Sequence, residues 1–275
     1  MHSEIADEVS AYEQSVLNMR HDPAAQDFVK AEFLDENLDA AIARFPNSED
    51  FKTILGMIES IDPDRSLSIL DLGGGRGILS FALAERGYCV TMLEINRSAV
   101  CGQGALCGRR LTFAGVCGDF NALPFKAGAF DIVICKQTLH HSEHLARVLS
   151  EVVRVLKKGG CLVAYKEHCL PIHGGKRIFL KQHLGVKYGA RENAFRTVTY
   201  LASMRRQGFR KIKITNLQSM AQLHADYKMD RIRARVIGLP LLGTLLLWIL
   251  YYKYFVMSIL LCRPGQTMNF IARKG

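Results

Sequence analysis

Between Ser68 and Ile78 the sequence reads Ser-Ile-Leu-Asp-Leu-Gly-Gly-Gly-Arg-Gly-Ile. A short apolar, strand-forming run ends in an acid, breaks into glycines and passes at once into an apolar helical stretch. Glycines at such a junction allow a tight turn and close approach of a ligand to the backbone. The pattern continues beyond it. Short apolar runs at Ser68–Leu72, Cys89–Leu93, Thr112–Cys117, Asp131–Cys135, Cys161–Tyr165, Lys211–Thr215 and Met268–Ala272 predict strands, with helical stretches at about 77–86, 97–106, 143–157 and 195–207. Nearly continuous apolar strands separated by helices indicate an α/β fold with a mostly parallel sheet covered on both faces. Residues 1–60 carry apolar positions at helical spacing, punctuated by Pro23 and Pro46, and predict an N-terminal helical segment.

The glycine turn excludes two familiar alternatives. The dinucleotide fingerprint needs a third glycine at position 78, which is Ile78, and the Walker pattern is absent. What remains, Gly73, Gly75 and Gly77 with Asp71 two residues before them, suits a ligand with a cationic amino-acid end better than a pyrophosphate. The second strand ends in Glu94, 21 residues after Gly73 and followed by Ile95. A carboxylate there can accept hydrogen bonds from both hydroxyls of a ribose. The third strand leads to Asp119 and Phe120, an acceptor for an adenine amino group beside an aromatic face. Each element has a plainer reading: a mere tight turn, a solvated strand-end acid, a turn-forming aspartate. Together they point to a nucleoside.

From Ile69 to Lys166 the chain resembles a class I methyltransferase domain that uses S-adenosylmethionine. The motifs Asp-x-Gly-x-Gly-x-Gly at 71–77, the acid Glu94, Gly118-Asp119 leading to Leu123-Pro124-Phe125, Phe130-Asp131 leading to Leu139-His140-His141, and Leu156-Lys157 before Gly159-Gly160 follow in order. The family more often has Asp where Glu94 stands. The resemblance implies a Rossmann-like seven-stranded sheet. It also implies that Asp71 with Gly73, Gly74, Gly75 and Gly77 holds the methionine part, Glu94 with Ile95 the ribose and Asp119 with Phe120 the adenine. Lys136, at the end of strand four, is counted with the cofactor site.

In parallel sheets the site lies beyond the carboxyl ends of the strands. Methyl transfer from a sulfonium is an in-line displacement, so alignment dominates and a base helps only an acceptor that arrives protonated. His140 and His141 after strand four, and Glu167 and His168 after strand five, are the candidates; the plainer reading makes the histidines helix caps. Residues 167–194 are expected to form a lid insertion. The stretch Tyr188–Phe195 resembles the entry to the helix that covers substrate in small-molecule members.

Composition matters most at the ends of the chain. The net charge is +10, yet residues 1–50 hold twelve acids against Arg20, Lys30 and Arg44, while residues 205–275 hold thirteen Lys/Arg against Asp226 and Asp230. The basic end surrounds the most hydrophobic run: Val236–Tyr252 has no charge, and apolar character resumes from Tyr254 to Cys262. As one helix, residues 236–262 would span about 40 Å, against a hydrocarbon core of about 30 Å. Strand six precedes this run and the last strand follows it. If the two pair, a single crossing separates them, and two crossings need roughly 40 apolar residues. An in-plane or re-entrant anchor is therefore expected, with an apolar lid or dimer surface, or a misread last strand and a true span, as alternatives. Lys228, Arg231, Arg233 and Arg235 before the run and Arg263 after it favour an anionic leaflet.

The expected organisation is thus residues 1–60, a core at 61–217, an apolar helical insertion at 218–265 and a last strand at 266–275. Eight cysteines without CxxC spacing imply free thiols, a reducing compartment and no metal site. The acidic N-terminus has no signal-peptide core, so a cytoplasmic location, peripheral on the inner face of a membrane, is expected. The expected acceptor is small, apolar or lipid-linked; an oligomer is compatible. Rivals are a soluble small-molecule enzyme, a binding module without chemistry and an RNA methyltransferase. Cys135-Lys136-Gln137-Thr138 lacks the Asn/Asp-Pro-Pro-aromatic signature of many nucleic-acid members, which makes nucleic acid an unfavoured partner.

Overall fold

The computed structural model describes residues 2–215, 262 and 264–275. The expected insertion at 218–265, including the apolar run 236–262, lies almost wholly outside the described residues. The chain opens with α1 (His2–His21), α2 (Gln26–Ala31), α3 (Leu38–Arg44) and α4 (Glu49–Glu59). Asn37 and Ser48 cap α3 and α4, their side chains accepting from the backbone N–H of Ala40 and Phe51 at 3.1 Å each. The sheet then begins with β1 (Ser68–Leu72), α5 (Ile78–Glu85), β2 (Cys89–Glu94), β3 (Ala114–Cys117) and β4 (Phe130–Lys136). It continues through α6 (Leu145–Val155), β5 (Leu156–Leu170), α7 (Lys176–Gln182), α8 (Leu184–Lys187), β6 (Phe195–Arg196), α9 (Thr197–Arg206), β7 (Phe209–Ile214) and β8 (Gln266–Lys274).

The strands lie in the order β3-β2-β1-β4-β5-β8-β7, with the short β6 beside β5. Among the described residues the sheet therefore has eight strands, one more than the seven expected, the added one being two residues long. β8 is antiparallel to both β5 and β7. The pairing of strands six and last, on which the membrane argument turned, is thus present. No helix among the described residues is long and apolar enough to cross a membrane.

The alternation of the strands explains two layers of packing. Leu70, Leu72, Val133, Cys135, Leu162 and Ala164 face a core shared with α6 and α9. The intervening Ile69, Ile132, Ile134, Val163 and Tyr165 face a second core shared with α3, α4 and α5. α6 is held by one stripe, Leu145, Val148, Leu149, Val152 and Val155, all buried. Covering both faces is what a parallel sheet requires.

Two expectations fail locally. Instead of a helix at 97–106 there is a 3-10 turn at Gln103–Leu106. The side chains of Asn96 and Ser98 accept from the backbone N–H of Ser98 (2.8 Å) and of Val100 (2.9 Å), which are local bonds that compete with a helix. A Cβ on Gly102 would also sit 2.2 Å from the Asn96 carbonyl oxygen. The fifth strand runs to Leu170 rather than ending at Tyr165, because β8 pairs with it at Glu167, His168 and Cys169. Glu167 and His168 are therefore sheet residues, and the segment leaving the sheet begins after them.

Candidate active site

A cavity of about 490 Å³ opens at the carboxyl ends of β1, β2, β4 and β5, where β1 sends neighbours to both sides and ligands bind in such sheets. Its floor is the glycine turn. Gly73 and Gly75 adopt φ of +76° and +55°. The N–H groups of Gly73 and Gly74 both donate to the Leu93 carbonyl, at 2.8 and 3.2 Å. A Cβ on Gly74 would meet Met92 Cγ at 2.3 Å and Asp71 Oδ2 at 3.0 Å. The turn is thus clamped between β1 and β2, and only glycine fits at Gly74.

Asp71, Glu94, Ile95, Asp119, Phe120 and Lys136 all border this cavity. Asp71 is buried and accepts from Ser80 Oγ at 2.6 Å; burial pushes its carboxyl up to about 6. Glu94, also buried, accepts from Gly75 N on one oxygen (2.7 Å) and Asn96 N on the other (2.8 Å). Burial raises its pKa against those bonds. One acceptor per oxygen is taken, and a carboxylate oxygen has capacity for more. Asp119 Oδ1 accepts from Asn121 N (2.8 Å) and Nδ2 (2.9 Å), so it forms a turn as well as lining the cavity. Lys136 donates to Gln137 Oε1 at 2.8 Å, and burial lowers its ammonium pKa. Gly77 does not line the cavity. It caps α5 at φ +74°, and a Cβ there would press on Phe113 Cζ at 3.0 Å.

The opposite end is a cluster of imidazoles. His140, His141 and His168 face the cavity, joined by His183 and Glu192. Glu167 does not face it but lies fully buried behind the turn after β4. One of its oxygens accepts from Thr138 N and Leu139 N (3.1 Å each), the other from His140 N (3.1 Å) and the His140 ring at Nδ1 (2.7 Å). Burial lifts its carboxyl to about 7 in spite of these donors. His140 therefore does not cap α6. Burial holds His140 and His141 well below the ordinary imidazole range, lowers His168 and brings His183 to about 4, so all four rings are neutral at neutral pH. With Nδ1–H donated to Glu167, the Nε2 of His140 carries the lone pair.

Three contributors escaped the sequence reading. His183 gave no local signal. Glu192 stood within a quoted stretch without a role. The N-terminal helices wall the cavity through Tyr12, Phe28 and Phe33. Arg76 ties this wall to the glycine turn, donating to the carbonyls of Asp35 (2.6 Å) and Phe33, and burial lowers its pKa to about 10. α1 closes on α8, where Tyr188 donates to Asp22 at 2.5 Å.

A family model described as a methyltransferase domain matches residues 70–164. A phthiotriol/phenolphthiotriol dimycocerosates methyltransferase of Mycobacterium ulcerans is 39% identical over 94 residues, 33% of this chain and 32% of the relative. A ubiquinone/menaquinone biosynthesis C-methyltransferase of Rhizobium johnstonii is 28% identical over 207 residues, 63% of this chain and 77% of the relative. The match thus spans about a third of the mycobacterial protein's length. Among solved structures, Haemonchus contortus phosphoethanolamine N-methyltransferase 2 with S-adenosyl-L-methionine gives a TM-score of 0.53 at 17% identity, covering 88% of this chain and 59% of that one. The [4+2]-cyclase SpnF gives 0.50 at 20% identity, covering 81% and 80%. These structures share the fold. The domain match covers the glycine turn and the strands around it, and over that stretch the chain is similar to S-adenosylmethionine-dependent methyltransferases.

Proposed function

We propose that the protein transfers the methyl group of S-adenosylmethionine to a small, apolar or lipid-linked acceptor reached from a membrane surface. The observation that carries this reading is one cavity with two chemically different ends: acids and a glycine turn at one, neutral imidazoles and an aromatic wall at the other. The bound cofactor supplies a sulfonium methyl for in-line displacement. The residues fit such a nucleoside. Gly74 lets the turn pack directly on Met92 and Asp71 at the cavity floor, and Glu94 keeps acceptor capacity on both oxygens for two ribose hydroxyls. Asp71 and Lys136 would meet the amino-acid end, Ile95 the ribose, and Asp119 with Phe120 the adenine.

At the other end His140 takes the acceptor's proton at Nε2, while Glu167 fixes its tautomer and stabilises the charge that develops on the ring. Glu167 is a positioning residue; His141 and His168 flank the base. Tyr12, Phe28 and Phe33 would receive an apolar acceptor. The two named relatives, a phthiotriol and a ubiquinone/menaquinone methyltransferase, support an acceptor of that kind. The basic-flanked run 236–262 would rest on an anionic leaflet, which puts the enzyme on the cytoplasmic face as a peripheral or monotopic protein. Labelled cofactor incubated with a membrane lipid extract is expected to give an extractable labelled product, and flotation with anionic vesicles is expected to depend on 236–262. A labelled product found solely in the polar fraction, or flotation that survives the deletion, would overturn the acceptor class or the anchor.

A further inference from the structure

The imidazole end holds a set of donors that moving one proton does not require. His140 Nε2 and Glu192 Oε2 stand 3.9 Å apart. With His168 they give three ligand atoms, one from each residue, all within 4.8 Å of one another. Donors about 2.0–2.2 Å from a common ion in a tetrahedral shell lie roughly 3.3–3.6 Å apart. The first pair is about 0.3 Å wide of that spacing, and the third donor needs to close by about 1.2 Å at most.

The surroundings are those of a metal-binding imidazole. His140 gives its Nδ1–H to Glu167 at 2.7 Å, which leaves Nε2 with the lone pair and fixes the ring. A carboxylate behind a ligating histidine is the usual orienting partner in metal sites. Glu167 is itself pinned by three backbone N–H groups. The His168 ring has Nδ1 3.4 Å from the Gly265 carbonyl. The three donors come from separate supports: the turn after β4, β5, and the segment entering β6. His183 meets His168 edge-on with ring centroids 5.0 Å apart, and its buried Nδ1 has no hydrogen-bond partner among the described residues.

We propose that His140, His168 and Glu192 bind one divalent transition-metal ion of the zinc and cobalt class, with an open coordination position toward the cavity. Two imidazoles and one carboxylate are a donor set that such ions accept with a further ligand in the open position. That ligand is an oxygen donor, a phenol, enol or hydroxyl. The ion takes the His140 lone pair, so in the ion-bound protein polarisation of the bound hydroxyl replaces the base role given above to His140. A hydroxyl bound to the ion loses its hydrogen to water, the O–H electron pair staying on oxygen. The identity of this ligand rests on the methyl-transfer reading; the ion site does not.

The test is a Co(II) titration of the full-length protein after chelator treatment, followed by visible d–d absorption, with S-adenosylhomocysteine calorimetry on the same samples. One Co(II) per chain is expected, with the bands of a low-coordinate site. Affinity should fall at least tenfold in His168→Asn and Glu192→Gln, and about 10-fold in Glu167→Gln, while nucleotide affinity stays within threefold. Absence of a saturable band in the wild type, or equal Co(II) binding in His168→Asn and Glu192→Gln, would overturn the site. Co(II) binding without nucleotide binding would leave the site standing and sink the methyl-transfer reading instead.

Discussion

The two ends of the cavity solve the problem of buried charge in opposite ways. At the nucleotide end, Asp71 and Glu94 are held by hydrogen bonds from groups close in the sheet: Ser80, Gly75 N and Asn96 N. At the acceptor end the buried groups come from distant parts of the chain, and burial leaves the imidazoles neutral instead of balancing charge with charge. The first end is the proposed receptor for the nucleoside. The second is a set of lone pairs whose job depends on what enters. A fold can therefore keep one end and change the other, and structures as different in name as an N-methyltransferase and a cyclase share the scaffold.

That separation can be broken by mutation. His140→Ala should lower methyl transfer by about 10²–10⁴-fold, the usual worth of a positioned base, and leave S-adenosylhomocysteine affinity unchanged by calorimetry. An equal loss of both would show that the ends are not independent. Gly74→Val attacks the other end. Its side chain would collide with Met92 and Asp71, and nucleotide binding should weaken by about 100-fold or more (~2.7 kcal/mol), with a lower thermal midpoint as overpacking adds strain.

Glu167→Gln sharpens the acceptor end. The wild-type carboxyl titrates near 7, pushed up by burial, and only its ionised form stabilises a protonated His140. Transfer should therefore rise with pH through about 7. The variant should lose that limb and about tenfold in rate above it, less than the roughly 10²–10⁴-fold of a general base because Glu167 acts through His140, as read from a pH–rate profile. The smallest effect is expected at His183. Its pKa falls from 6.5 in the unfolded chain to about 4 in the fold, so its contribution to stability is present above 6.5 and is lost as pH drops toward 4. In His183→Gln the urea midpoint should fall less steeply over that window.

The same contrast governs how far the sequence could be read. Asp71, the glycines, Glu94 and Asp119 follow strand ends in order, so their spacing carried them to one cavity. Strand positions were legible because alternate residues divide between two cores. The helix expected at 97–106 was not there because Asn96 and Ser98 bond their own backbone. The reach of β5 to Leu170 depends on β8, roughly a hundred residues later, as in the pairing of His168 with Thr267. His183 and Glu192 join His140 only through that tertiary arrangement. Gly77 kept the motif spacing but serves the start of α5 rather than the cavity. Glu167 was expected beside the histidines at the cavity, yet it sits behind His140, accepting from its ring.

The most direct test of the account is the affinity of S-adenosylhomocysteine for wild type, Glu94→Gln and Glu94→Ala, measured by calorimetry. The account expects one site per chain, a modest loss in Glu94→Gln, which retains one acceptor oxygen, and a loss of about 10–100-fold in Glu94→Ala, as for hydrogen bonds to a charged group. Equal affinity in all three proteins, or no binding to the wild type, would contradict it.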